Sequence, residues 1–272
     1  MTPRKPLFFY GWLLVGLAFV TLTVAYAVRY AFSIFYPAIL NDFGWSRAAT
    51  AGVLSVNLIV YAAAAPFIGG LVDKFKVRRV VPVGCLLLGL ALFGASRINT
   101  IWQLYILFGL TSLGTCALGF VPQMTVIANW FSQRRGTAMG IAMAGFGASM
   151  AIAPLIQLLI SHLGWRNTYL VFAILVVVVI GPLGAIFLRQ RPEEKGLVPD
   201  GIEDTGAARS AARHRPQMVV VDKEWDARDW TLFRAMATSR FWWLMSMNVF
   251  YGLFTYVLII NQVIYLKDVG YS

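Results

Sequence analysis

The stretch Gly69–Arg79 reads GGLVDKFKVRR. It closes an apolar run of about twenty residues, enough for one crossing of a bilayer. It then turns abruptly basic, with Lys74, Lys76, Arg78 and Arg79 following a single acid, Asp73. Positive charge directly after an apolar span holds a loop on the cytoplasmic side, whereas an acid contributes little to orientation. Asp73 therefore calls for a local role, and Gly69 and Gly70 for close backbone approach by a neighbouring helix.

The rest of the chain repeats this alternation. Its 272 residues are 59% hydrophobic and only 13% charged, with a mean hydropathy of +0.70. A soluble domain needs roughly 25% charged residues to cover its surface, so lipid is part of the solvent here. Apolar segments at 10–38, 49–72, 80–97, 101–129, 136–161, 168–188 and 240–266 predict membrane-spanning helices. Arg4 and Lys5 precede the first, and Ala25-Tyr26-Ala27 mimics a signal-peptidase site. The apolar run before that site is longer than a leader's usual ~7–15 residues and continues past it, so the segment reads as a helix. Cys85 and Cys116 lie in separate apolar runs and read as small core residues. Zinc or redox spacing is absent, so no metal or cofactor is expected.

A formal charge of +11 is compatible with nucleic acid only if the charge gathers on one soluble face. It does not. With the N-terminus in the cytoplasm, 18 of the 23 Lys and Arg fall on the inner side, and only Arg47, Arg97, Arg166 and Lys267 fall outside. This positive-inside bias orients a multi-pass protein of the cell (inner or plasma) membrane with a cytoplasmic N-terminus. The expected partners are the lipid bilayer and a solute, not nucleic acid.

The predicted fold class is an all-α integral membrane protein. Residues 1–188 form a six-helix lobe, and 189–239 form a cytoplasmic linker with a short surface helix near 229–239. Residues 240–272 carry a seventh span that opens a second lobe. The linker's middle, GIEDTGAARSAARHRPQ, has few large apolar residues and is expected to be poorly ordered. An odd number of spans predicts a fragment whose remaining helices lie beyond Ser272.

Several stretches carry a resemblance. GGLVDKFKVRR resembles the G-x-x-x-D-[RK]-x-G-[RK]-[RK] signature of the major facilitator superfamily. NWFSQRRGTAMGIAMAGFG (129–147) resembles its monocarboxylate and oxalate–formate porter branch, as do DFGWSRA (42–48), GWRNTYL (164–170), RPEEKGLVPDG (191–201) and WTLFRAMATSRFWWL (230–244). The resemblance implies a two-lobed secondary transporter, with helices 1, 4, 7 and 10 lining the path. It also implies a gating role for the cytoplasmic residues Gly69, Asp73, Lys74, Arg78, Arg79, Arg134 and Arg135, in which Asp73 latches against a helix N-terminus of the second lobe. There the helix dipole favours a carboxylate. One departure stands out, because the family's glycine is Lys76 here.

The sharpest functional signal is Arg29, a cation well inside the first span, where insertion costs about 2.5–3.5 kcal/mol. Tyr26, Arg29, Tyr30 and Ser33 are spaced i, i+3, i+4, i+7 and share one face. All 12 acids lie in loops or at helix ends, so no intramembrane carboxylate in this sequence answers Arg29. Three readings fit: the side chain snorkels to the outer interface, it pairs with an acid in helices beyond this sequence, or it meets an anionic solute. Asn248, Tyr251 and Thr255 share a face of the seventh span. Asn57, Tyr61 and Gln123 are further substrate-contact candidates, and each also serves simply as a bond between helices.

On the fifth span, Gly136, Gly140, Ala144 and Ala148 form a small-residue stripe suited to tight packing. Pro66, Pro122 and Pro154 are expected to kink their helices. Two other functions compete with transport. A seven-helix receptor or sensor conflicts with the charge bias. A membrane enzyme lacks intramembrane His, acids or metal-ligand clusters. A truncated, non-transporting membrane protein is a further alternative.

Overall fold

The computed structural model describes residues 9–201 and 231–268, with side chains in the second block described through Phe254. Among these residues all regular structure is helical, and the chain divides into two compact units, 1–208 and 209–272.

In the first unit, α1 (Tyr10–Phe43) ends where Gly44 takes a left-handed conformation, φ 63°. Helix α2 (Arg47–Phe75) begins under the Ser46 hydroxyl, which accepts from the Ala49 N–H at 3.2 Å. Helix α3 spans Val77–Ala95, and α4 (Ile101–Leu118) starts from a capping box between Thr100 and Gln103. Then follow α5 (Phe120–Trp130), α6 (Arg135–Ala151), α7 (Ala153–Ile174), a π-helical stretch at Leu175–Ile180 and α8 (Gly181–Phe187). A continuous helix of the 53 residues Arg135–Phe187 would be about 80 Å long, far beyond a ~30 Å hydrocarbon core. Gly164, at φ 78° and ψ 160°, breaks it into two crossings, within the gap the sequence left between 161 and 168.

The breaks are not centred on the prolines. Pro66 lies inside an uninterrupted α2. The fourth crossing breaks at Gly119, and Pro122 then falls in the first turn of α5, where its missing N–H costs nothing. The fifth crossing breaks at Ile152, immediately before the Ala153–Pro154 start of α7.

Side-chain size determines which helices touch. A Cβ added to Gly114 would lie 2.9 Å from the Leu88 Cα, so α3 and α4 pack backbone to backbone. One added to Gly145 would lie 2.6 Å from the Phe19 carbonyl oxygen, bringing α6 onto α1. The small-residue stripe buried on α6 is therefore Ala138, Ala142, Gly145 and Ser149. The expected stripe lies on another face, where Gly136 and Gly140 have nothing within 4 Å. Gly70 is equally open and Gly69 meets only Val121 at 4.0 Å, so neither marks a close approach within this lobe. Trp130, Phe32, Phe35 and Leu88 are among the fully buried side chains of one continuous core.

In the second unit, Thr231 caps the short α9 (Leu232–Met236), and α10 runs Ser239–Asp268. Trp243, Phe250 and Tyr251 stand exposed on α10 within that unit.

Candidate functional site

The polar stripe of α1 splits between two cavities. Tyr26 is buried, and its hydroxyl lies 3.1 Å from that of Tyr61 on α2. Arg29, half-buried, stacks its guanidinium on the same Tyr61 ring, 3.9 Å from the centroid. That contact is worth up to about 2 kcal/mol in a desolvated site, and it offsets part of the cost of a cation in the membrane. The guanidinium's Nη1 points inward, buried and without a hydrogen-bond partner. Arg29 also lines a small internal cavity with Asn57, Phe108, Thr111, Thr115 and Tyr169. Tyr30 and Ser33 face elsewhere. They line a separate cavity of about 240 Å³ against Ser149, Met150 and Ile156 of α6 and α7. The Ser33 hydroxyl donates back to the Tyr30 carbonyl at 2.8 Å.

Two other predicted site residues are engaged in holding helices. Asn57 Nδ2 donates to the Phe108 carbonyl at 2.9 Å, and Ser112 Oγ donates to the Asn57 carbonyl at 2.8 Å, which ties α2 to α4. Gln123, fully buried, donates from Nε2 to the Leu118 carbonyl at 3.2 Å across the Gly119 break, while its Oε1 finds no partner. On α10, Asn248 donates to the Leu244 carbonyl at 2.8 Å and Tyr251 is exposed. The Thr255 side chain lies outside the described residues.

The stretch that decided the fold builds a tight corner. Helices α2 and α3 meet at Lys76 alone, held at φ 67° and ψ 148°. That backbone region is essentially reserved for glycine. Here a lysine occupies it, and its ammonium reaches Glu194 Oε1 at 3.4 Å. Arg78 Nε donates to the Ala185 carbonyl at 2.8 Å, so the corner also closes the C-terminal end of α8. Asp73, Lys74 and Arg79 are exposed.

Two contacts escaped the sequence reading. Helix α6 has no side-chain cap of its own, and Arg134 and Arg135 sit at its start. The cap comes instead from Asp200, whose carboxylate accepts from the backbone N–H groups of Ser132 (2.9 Å), Gln133 (2.5 Å) and Arg134 (3.4 Å). Its own φ of 60° is the backbone cost of that reach. At the far end, Asp42 in the last turn of α1 accepts from Trp165 Nε1 and Arg166 Nη1, both at 2.8 Å. The DFGWSRA and GWRNTYL stretches therefore close on one another.

Comparisons with known proteins agree with this architecture. The chain is 32% identical to monocarboxylate transporter 13 of Bos taurus over 167 residues, covering 61% of this chain and 39% of that protein. It is 34% identical to monocarboxylate transporter 2 of Homo sapiens over 170 residues, covering 62% and 35%. The matched region spans little more than a third of the length of these relatives. A crystal structure of a bacterial homologue of the human lysosomal transporter Spinster, inward-facing and unoccupied, superposes with a TM-score of 0.66. That match has 15% identity, covering all of this chain and 57% of the other, and it speaks for the fold alone. A sequence model described as Major Facilitator Superfamily matches residues 17–272, so this multi-pass membrane chain belongs to the major facilitator superfamily.

Proposed function

We propose that the chain is part of a secondary transporter of small organic anions, monocarboxylate-like in substrate, working by alternating access in the cell membrane with its N-terminus in the cytoplasm. The observation that carries this reading is Arg29. Among the described residues no ion pair includes Arg29, whereas Lys76 pairs with Glu194 and Arg166 with Asp42. A cation held in a low-dielectric site without a counter-charge attracts an anion from outside the protein.

In this reading Arg29 meets the carboxylate, and Tyr26 and Tyr61 hold the guanidinium in place by stacking and by their shared hydroxyl contact. Tyr30 and Ser33 line the neighbouring cavity, which is large enough for a small apolar tail. The named transport activity of the monocarboxylate relatives supports the substrate class. The Lys76 corner and the Asp200 cap fix the cytoplasmic ends of α2, α6 and α8, where Asp73, Lys74, Arg78, Arg79, Arg134 and Arg135 would act in gating.

The test is uptake of a short monocarboxylate by the full-length protein carrying Arg29→Ala or Arg29→Lys. Loss in both variants at unchanged membrane abundance is the expected outcome. Undiminished uptake by both removes Arg29 from the mechanism.

A further inference from the structure

Behind Arg29, two buried donors from distant parts of the chain face the same space. Arg29 Nη1 on α1 and the Tyr169 hydroxyl on α7 are both fully buried, and neither has a hydrogen-bond partner in the chain. Tyr169 is 3% exposed and packs flat on Phe35, ring centroids 4.0 Å apart, so it cannot swing out to water. Both residues line the cavity between α1, α2, α3, α4 and α7, which offers about 10 Å³ to the centre of a water-sized sphere. One water needs about 10–15 Å³ on that measure, together with 2–4 polar partners.

We propose that this cavity binds a single internal water, and that through it Tyr169 acts as a positioning residue for Arg29. The water accepts hydrogen bonds from Arg29 Nη1 and from the Tyr169 hydroxyl. Its own protons go to lone pairs that the lining leaves open. Thr115 Oγ1 donates to the Thr111 carbonyl at 2.9 Å and keeps its acceptor capacity. The Asn57 amide nitrogen is committed to Phe108, so its oxygen is the second acceptor. Thr111 Oγ1 is already engaged on both sides, donating to Phe108 at 2.8 Å and receiving Asn57 Nδ2 at 3.4 Å.

The size of the cavity matches one water. A carboxylate carries three heavy atoms and does not fit, so this is not where a transported anion sits. The guanidinium is therefore shared between two jobs. Its inward edge is held by the water and Tyr169, and its remaining N–H groups are aimed by that grip. The positioning role rests on the proposed reading of Arg29 as the anion contact, whereas the water site stands on the two orphan donors alone.

The test uses the full-length protein in lipid nanodiscs with Tyr169→Phe, Thr115→Val and the double variant. If the Tyr169 hydroxyl bonds a water, Tyr169→Phe lowers Tm by about 2–4 °C. Thr115→Val then also lowers Tm, and the double variant loses less than the sum because both act on one guest. In transport, Tyr169→Phe raises KM for the organic anion about two- to tenfold with kcat unchanged. A Tm that stays level or rises in Tyr169→Phe, or strictly additive losses in the double variant, overturns the water site. The expected Tm pattern with an unshifted KM overturns the positioning role. Failure of the anion reading itself is scored separately by the Arg29→Lys uptake measurement.

Discussion

The rim formed by the Lys76 corner and the Asp200 cap and the interior around Arg29 handle charge in opposite ways. At the rim, polar groups close on partners within the chain. Lys76 finds Glu194, Arg78 finds the Ala185 carbonyl, and Asp200 takes three backbone N–H groups at the start of α6. In the interior, Arg29 has an aromatic face beneath it and Tyr169 a stacked ring, yet each has a donor left over. The rim is a finished structure, and its charges hold crossings together. The interior instead leaves two buried donors unanswered by the protein, Arg29 Nη1 and the Tyr169 hydroxyl.

The contrast can be attacked from its strong end first. Arg29→Ala removes the only cation inside the described crossings and should cut anion uptake by about ten- to a hundredfold, the worth of a charged hydrogen bond, while the protein still reaches the membrane. A variant that transports normally would make the interior as purely structural as the rim. Asp200→Ala is the matching attack on the rim. It strips the cap from α6 and should destabilise the lobe by about 1–2 kcal/mol, read as a lower Tm with KM untouched. A shifted KM at constant Tm would show that the rim reaches the site.

Lys76→Gly sharpens the picture in the opposite direction. Relief of the glycine-type backbone is worth about 1–3 kcal/mol, against roughly 0–1 kcal/mol for the exposed Lys76–Glu194 pair. A net rise in Tm is expected, and a fall would mean the ion pair dominates the corner. Last, Asp42→Asn should cost about 0.2–1 kcal/mol, with the loss shrinking at high salt because both partners are nearly half exposed.

Much of this was legible from the sequence, for a physical reason. Apolar length and the side on which Lys and Arg fall are properties of single segments. They predicted the crossings of the first lobe, the turn near Gly164 and, among the described residues, the lack of an acid beside Arg29, without any knowledge of which helix neighbours which. What required the fold was choice among equivalent local patterns. Helix α6 carries two stripes of small residues, and only contact with Phe19 decides that Gly145 is buried and Gly140 open. The kinks expected at Pro122 and Pro154 correspond to breaks at Gly119 and Ile152, a few residues earlier, because a proline is tolerated in the first turn after a break as well as at one.

Contacts between distant residues gave no periodic signal. Asp200 and Asp42 lie in stretches that resemble a family, yet nothing local reveals that one caps α6 and the other grips Trp165 and Arg166. Tyr169 was hidden in the same way. It stands far from Arg29 in sequence, and only the folding of α7 against α1 and α4 brings the two to one cavity.

The Asp200 cap changes where the connector is anchored. Although the sixth crossing ends at Phe187, the chain is not released there but is stapled back onto the mouth of the fifth. The chain at Asp200 is thereby tied to the start of α6, and α6 packs through the Gly145–Phe19 seam on the helix that carries Arg29. The connector's first residues and the helix that carries Arg29 are thus joined by one packed path, with the Asp200 carboxylate among its links.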